Sequence, residues 1–187
     1  MSSVSFPFVV MTGSNVVGGV SAPDFIATKD KMFAIFESWE KEAARLVATN
    51  NDPFGNAATF LTSGNFDVIG SHIEAWRPAH LFVYIDEDAE KVLGFVLIQD
   101  TLIVADTHKY VAILAAAVSP FCYNKGVGKH MIEIWIQYEK TCGDVDGIIL
   151  QAEPTAMEFW KKVGFTQWET TVESACPELT KMIFPFF

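Results

Sequence analysis

The residues best suited to chemistry lie in a glycine-containing turn between a predicted buried strand, residues 110–118, and a predicted helix. Gly126 and Gly128 fall at the first turn of that helix. Glycine there leaves the unpaired N–H groups and the positive dipole end of the helix open to an anion. Lys125 and Lys129 add positive charge nearby. The turn predicts a pyrophosphate site, although a tight strand-to-helix turn without a ligand fits these residues equally well.

A second stretch, residues 150–165, has the pattern of a strand, a short helix, a glycine stop and another strand. Gly164 is typical of the left-handed residue that ends a helix. Together the two stretches resemble the GNAT superfamily of N-acetyltransferases, which use acetyl-CoA. The first motif of that family is Q/R-x-x-G-x-G/A after a strand end that here reads Ala117-Val118-Ser119-Pro120. The second resembles A-x-x-F-Y-x-x-x-G-F and here reads Ala156, Phe159, Trp160, Gly164 and Phe165.

The resemblance implies acetyl-CoA as cosubstrate. In the family, the strand ending here at Val118 splays from the strand at 148–152, and the pantetheine arm lies in the gap. Backbone N–H groups near Ala117 and Val118 are then expected to stabilise the oxyanion. Lys161 or Lys162 would lie near the adenosine phosphates, unless they form a solvated helix face. The implied CoA-binding residues are Ala117, Val118, Tyr123, Asn124, Lys125, Gly126, Val127, Gly128, Lys129, Ala156, Phe159 and Trp160.

The sequence departs from the family at the groups that move protons. Tyr123 replaces the first Gln or Arg of the glycine motif, and Trp160 stands where many relatives have a tyrosine acid. An indole N–H cannot act as an acid near neutral pH, so Trp160 is also interpreted as a packing residue. Relatives place Glu or His on the strand before the turn, where this chain has the inert Ala112 and Leu114.

An ammonium acceptor must lose a proton before it attacks a thioester, so some other group has to accept it. Tyr110, at the start of the strand, and Glu153, after the next strand, are the predicted catalytic residues. Each is also compatible with a purely structural or surface role. The candidates in the N-terminal part of the chain are Asp24, Glu37, His72 and Glu74.

The elements that must position these residues predict one GNAT-like domain over residues 1–187. The fold class is α+β, of the three-layer type, with a mixed, mostly antiparallel central sheet of about seven strands flanked by helices. The predicted helices cover residues 29–48, 66–76, 127–141 and 155–163. Met131, Ile132, Trp135, Tyr138 and Cys142 are expected on the buried face of the third. The predicted strands cover residues 8–17, 80–85, 92–98, 110–118, 147–152, 165–171 and 179–184.

Composition excludes several classes of protein. Half of the 187 residues are hydrophobic, which excludes a disordered chain, and a net charge of −10 argues against nucleic-acid binding. Three cysteines without a C-x-x-C pair indicate a cytoplasmic protein with reduced thiols. Its apolar runs are too short to span a membrane, its N-terminus lacks a signal peptide's basic region, and its four histidines show no metal-ligand spacing.

The sequence therefore predicts an N-acetyltransferase that moves an acetyl group to a primary amine by direct attack in a ternary complex. The acidic balance favours a small cationic acceptor such as a polyamine, while protein lysines or N-termini remain open. The alternatives are a non-catalytic acyl-CoA-binding or sensor module and an interaction domain without a nucleotide. Phenylalanines near residues 184–187 would suit a homodimer surface, but core packing explains them equally well.

Overall fold

The computed structural model describes residues 8–12, 15–17, 29–49, 79–86, 88–105, 107–123, 125–142, 144–170 and 178–186. They form a sheet of eight strands in the order β2-β1-β3-β4-β5-β6-β8-β7. The strands are β1 (Phe8–Thr12), β2 (Asn15–Val17), β3 (Ala79–Asp86), β4 (Lys91–Ala105), β5 (His108–Val118), β6 (Gly147–Ala152), β7 (Thr166–Gln167) and β8 (Thr180–Pro185). The α-helices are α1 (Lys29–Ala48), α2 (Val127–Cys142) and α3 (Met157–Lys162), and single 3-10 turns occupy Pro120–Cys122 and Pro154–Ala156.

The sheet is mixed and mostly antiparallel, which confirms the predicted fold class. Two pairs are parallel, β1 with β3 and β5 with β6, and the other neighbours run antiparallel. The prediction of one strand over residues 8–17 was wrong, because that segment contains β1 and β2, which pair antiparallel. This split raises the strand number from about seven to eight.

Helix α1 has the predicted bounds and covers one face of the sheet. Met32, Phe36, Trp39 and Ala43 are buried at the spacing of an amphipathic helix. They pack on strands β3 and β4. We call this cluster, on the α1 face of the sheet, the second core, and it consists of Met32, Phe36, Trp39, Ala43, Leu81, Val83, Ile85, Val92, Phe95 and Leu97. Val47, one turn after Ala43, is 41% exposed because it lies at the edge of that apolar stripe.

Helix α2 covers the opposite face. Its Met131, Ile132 and Trp135 are buried, as predicted. They belong to the cluster on the α2 face of the sheet, which we call the first core and which also contains Trp160 of α3 and Phe165, three residues after the end of α3. The expected burial of Cys142 was wrong, because the helix ends at that residue and its side chain is exposed. Tyr138 is half-buried.

Two strands differ from prediction in length. Strand β4 continues to Ala105, beyond its predicted end at residue 98, although Gln99, Asp100 and Thr101 are polar. These polar residues lie at an irregularity in the ladder between β4 and β5. Strand β7 is shorter than the predicted 165–171, although the Trp168 N–H still donates to the Lys181 carbonyl at 3.0 Å.

The predicted helix over 66–76 lies outside the described residues. Among the residues that the structure describes, no helix is long and apolar enough to cross a membrane. The described side chains also contain no group of three or more His, Cys, Asp or Glu that could hold a metal ion.

Candidate functional site

Strands β5 and β6 separate at one end of the sheet. Their parallel ladder runs from Tyr110–Gly147 to Ile113–Leu150 and then stops. Strand β5 nevertheless continues to Val118, and β6 continues to Ala152. The backbone of residues 114–118 therefore has no ladder partner on the β6 side among the described residues. Such an edge can accept an added strand or an extended ligand with amide groups.

A β-bulge at Leu114 marks the point where the strands part. Ile113 pairs with Ile98 and Ala115 pairs with Leu97, so Leu114 has no residue opposite it on β4. A bulge inserts one extra residue, bends its strand and increases the local twist. The bulge explains why β5 leaves β6 here, and it leaves the Leu114 side chain 40% exposed.

The bulge also changes which side chains of β5 face each helix. Before it, Val111 and Ile113 contribute to the first core, and after it Ala116 and Val118 pack against that same core. Ala115 and Ala117 pack against the second core on the α1 face. An uninterrupted alternation from Ile113 would have placed residues 115 and 117 on the α2 face.

The N-terminus of α2 stands at the end of β5, as the glycine motif predicts. Gly126 has a φ of 75°, the left-handed region that favours glycine, and a Cβ there would meet no atom within 4 Å. Its carbonyl accepts the His130 N–H at 3.1 Å, which closes the first helical turn. The N–H groups of the first turn have no partner within the helix, so this open space suits an anion such as a pyrophosphate.

The two sequence motifs meet at Gly128. A Cβ at this glycine would lie 3.3 Å from Val118 Cγ1 and 3.5 Å from Phe159 Cε2. The end of β5, the first turn of α2 and helix α3 are therefore in contact around one residue that lacks a side chain. Residues larger than alanine would not fit between these neighbours.

The lysines beside this turn are mostly engaged with neighbours on their own segments. Lys125 Nζ donates to the Phe121 carbonyl at 3.1 Å. Lys129 Nζ lies 3.6 Å from Glu133, and Lys161 Nζ lies 2.9 Å from Glu158. These contacts are exposed, so each is weak and a stronger anion can compete for the lysine. Lys162 is exposed.

The remaining predicted CoA-binding residues divide into three groups. Tyr123 is half-buried and packs towards the α1 face, against the second core. Asn124 lies outside the described residues. Val127, Ala156 and Phe159 pack against the first core.

Trp160 is a core residue. It is 7% exposed, and its ring centroid lies 5.1 Å from that of Phe159 and 5.2 Å from that of Phe165. Edge-to-face pairs of this kind stabilise a packed cluster. This environment agrees with the interpretation of Trp160 as a packing residue.

The two predicted catalytic residues lie on either side of the point where the strands part. Tyr110 is 4% exposed at the closed end of the β5–β6 ladder, with its ring 5.4 Å from that of Trp168. It lies four residues before Leu114, or about 13 Å along the strand. Glu153 is exposed and directly follows β6. Of the other candidates, Glu37 is exposed on α1, while Asp24, His72 and Glu74 lie outside the described residues.

Two features near the site were not predicted, the bulge at Leu114 and the close packing at Gly94 of β4, where a Cβ would lie 2.9 Å from the Ala117 carbonyl oxygen. The bulge lies within an apolar run, Val111–Val118, where neither polarity nor turn residues mark an irregularity. Gly94 did carry a signal, because an isolated glycine inside a strand often marks a close approach of another segment.

Comparisons with known proteins place this chain in a family. A family model for the GNAT acetyltransferases matches residues 46–165, more than half of the chain. No curated protein matches this chain. A Bacillus subtilis acetyltransferase solved in complex with CoA has the same fold, with 15% identity over 68% of this chain and 88% of that one and a TM-score of 0.50.

Spermidine N-acetyltransferase from Vibrio cholerae, solved with CoA and spermine, is 16% identical over 65% of this chain and 73% of that one, with a TM-score of 0.46. A chimera of the Vibrio cholerae enzyme SpeG with hSSAT is 17% identical over 64% and 74%, with the same TM-score. The match of the family model to most of the chain decides the assignment: this protein belongs to the GNAT family of acetyltransferases.

Proposed function

We propose that this chain is an N-acetyltransferase that transfers the acetyl group of acetyl-CoA to a primary amine. The observation that carries the proposal is the loss of pairing between β5 and β6 after Ile113–Leu150, on the strand that leads to the glycine-started helix α2. Unpaired backbone of residues 114–118 would bind the amide groups of the pantetheine arm. The first turn of α2, from Gly126 to Lys129, would bind the pyrophosphate.

The two faces of the sheet would separate the two substrates. Helices α2 and α3 both pack on the face of the first core, so CoA would enter from that face. On the opposite face, the described core divides into the second core under α1 and a third core of Ala105, Tyr110, Ala112 and Ile149. The exposed Leu114 lies on β5 near this division, and the acceptor amine would reach the thioester there.

The thioester would lie at the narrow end of the gap, because α2 fixes the phosphate end of CoA at the wide end. The backbone beside the thioester would then belong to the Leu114 bulge and not to Ala117 and Val118, where the family resemblance led us to expect the oxyanion donors. Acetyl-CoA supplies an activated acyl group, and attack by the amine forms the N–C bond while the C–S bond breaks. Holding both groups in line provides much of the acceleration.

Tyr110 and Glu153 remain the proposed proton acceptors among the described residues. Neither lies at the bulge. Glu153 is exposed and would act on the ammonium group through water, whereas Tyr110 is buried about 13 Å away along the strand and is the weaker candidate. The CoA thiol has an ordinary pKa near 8.5, so its thiolate can leave without a strong acid beside it. The buried Trp160 is therefore compatible with catalysis.

We further propose a small cationic amine, such as a polyamine, as the acceptor. The formal net charge is −10, and the sheet end at which the gap opens carries carboxylates that are partly or fully exposed. They are Asp86, Asp88, Glu153, Glu169 and Glu178. Opposite charge around a cleft raises the local concentration of a cationic substrate. Protein lysines and N-termini are the competing acceptors.

The decisive experiment is a thiol-release assay with acetyl-CoA and a panel of amines. The panel would contain spermidine, a lysine peptide, a free amino acid and a buffer blank, with Gly128→Val as the variant that should not bind CoA. We expect release above the blank with spermidine, at a rate that falls as salt increases. Rates that depend on neither salt nor amine charge would refute the cationic acceptor.

One observation favours a second function, that of a non-catalytic acyl-CoA-binding module. From Val111 to Pro120 no side chain can titrate, and the family tyrosine is replaced by the buried Trp160. Thermal stabilisation by acetyl-CoA, with no thiol release for any amine, would support that function over catalysis.

A further inference from the structure

Gly94 lies opposite Val118 in the ladder between β4 and β5, at the end of the sheet where α2 begins. A Cβ at residue 94 would lie 2.6 Å from the Sδ atom of Met131, 2.9 Å from the Ala117 carbonyl oxygen and 3.3 Å from Val118 Cγ1. The first two distances are shorter than real Cβ atoms show, and the third is a tight contact. The absence of a side chain at Gly94 is therefore a condition for the close approach of α2 to β4.

Val118 is held between two glycines. Its Cγ1 atom faces Gly94 of β4 on one side and Gly128 of α2 on the other, each 3.3 Å from where a Cβ would lie. Met131 is 1% exposed and lies about one turn after the start of α2 at Val127. The contact at Gly94 thus fixes how deep the first turn of α2 sits against the strand ends.

We propose that Gly94 is a positioning residue for CoA binding. This inference rests on the proposed function. The pyrophosphate would be bound by N–H groups of the first turn of α2, and the pantetheine by the backbone of residues 114–118. Both sets must keep a fixed separation to bind one molecule, and the contact of Gly94 with Met131, Ala117 and Val118 sets that separation.

An alanine at residue 94 would change the distance between α2 and the edge of β5. Met131 is 1% exposed in the packed first core, so its side chain can give way only by displacing its neighbours, and a shift of the Ala117 carbonyl moves the edge of β5 itself. The N–H groups that face the phosphates would then be displaced relative to β5. The effect of a helix terminus on an anion falls off within one turn, so a small displacement is enough to weaken binding.

The test is titration calorimetry of CoA against the wild type, Gly94→Ala and Gly147→Ala, well below their unfolding temperatures. Gly147 is a matched control, because a Cβ there would lie 2.7 Å from the Phe184 carbonyl oxygen, but at the closed end of β6. We expect both variants to unfold at lower temperature. Only Gly94→Ala should weaken CoA binding, by about tenfold or more.

Equal affinities of Gly94→Ala and the wild type would overturn the inference, and so would equal losses in both variants. If Gly94→Ala does not fold, Met131→Phe enlarges the same contact from the helix side, with Ile136→Phe as the control further along α2. A greater loss of CoA affinity in Met131→Phe supports the proposal, and equal losses refute it. Failure of the wild type to bind CoA would refute the proposed function and this inference with it.

Discussion

Gly126 is required for its backbone conformation and not for lack of space. With a φ of 75° and no atom near a Cβ, alanine would fit sterically but would be strained by about 1–2 kcal/mol. Asparagine tolerates the left-handed region better. We expect the free energy of unfolding to fall in the order wild type, Gly126→Asn, Gly126→Ala, as measured by denaturant titration.

Both substitutions at Gly126 place a side chain beside the first N–H groups of α2. CoA affinity should therefore fall in both variants, even though their stabilities differ. Wild-type affinity in Gly126→Asn would show that the space beside this residue does not receive the phosphates.

Glu139 is a buried carboxyl group on α2 that the sequence did not identify as buried. It is 8% exposed, and burial raises its pKa to about 7, while the indole of Trp135 one turn earlier acts in the opposite direction. The Trp135 Nε1 atom is itself buried, and it makes no hydrogen bond of ordinary geometry with the residues that the structure describes. Below about pH 7 the protonated acid is thus the favoured form in the folded chain.

This raised pKa predicts that stability falls as pH rises. Below about pH 4.5 both states of the chain hold the proton, and between about 4.5 and 7 only the folded state keeps it. The contribution of Glu139 is therefore complete in acid and is lost by about pH 7. Allowing for partial solvent screening, the change amounts to about 1–2 kcal/mol.

Replacing Glu139 with glutamine should remove that pH dependence. We expect Glu139→Gln to be more stable than the wild type at pH 8 and to differ little at pH 4, as measured by urea unfolding at both values. An identical pH dependence in wild type and variant would show that Glu139 does not titrate in this range.

At the scale of elements, the bulge in β5 explains how one strand can pair with β6 and still leave it. Deleting Leu114 would make the pairs Ile113–Ile98 and Ala115–Leu97 consecutive in a regular ladder. All the remaining side chains of β5 would stay on their present faces of the sheet. The straightened strand would continue its pairing with β6 and close the gap. We expect ΔLeu114 to fold but to lose at least about tenfold in CoA affinity.

Leu114→Ala is the control for this deletion, because it keeps the bulge and removes only a side chain that is 40% exposed. It should unfold close to the wild-type temperature, as measured by circular dichroism, and should bind CoA more tightly than ΔLeu114 does. Wild-type affinity in ΔLeu114 would contradict the assignment of the pantetheine arm to this gap.

The elements that the sequence predicted well are those with a strong local signal. Helix α1 shows a clear 3.6-residue period, and β6 is bounded by Gly147 and the helix that follows Pro154. Strand β4 was underestimated because a polar triplet inside a strand looks like a loop. The bulge at Leu114 was invisible because register depends on the partner strand and not on the residues of β5 alone.

For the whole molecule, the sequence indicated the CoA-binding motifs better than it indicated the acceptor side. Glycines such as Gly126 and Gly128 have a conformational or steric reason that spacing makes visible. A catalytic base and an acceptor pocket would be assembled by the fold from strands and loops far apart in the chain, so no local pattern marks them. The net charge of −10 indicates a cationic acceptor only as an average over the surface.

The most direct test of the proposed acetyl-CoA site is a crystal structure of the chain with acetyl-CoA bound. We predict the pantetheine arm between residues 114–118 of β5 and the end of β6, with the pyrophosphate on the first turn of α2 at Gly126–Lys129 and the thioester beside Leu114. Acetyl-CoA bound elsewhere, or a β5–β6 gap that stays empty at saturating ligand, would contradict it.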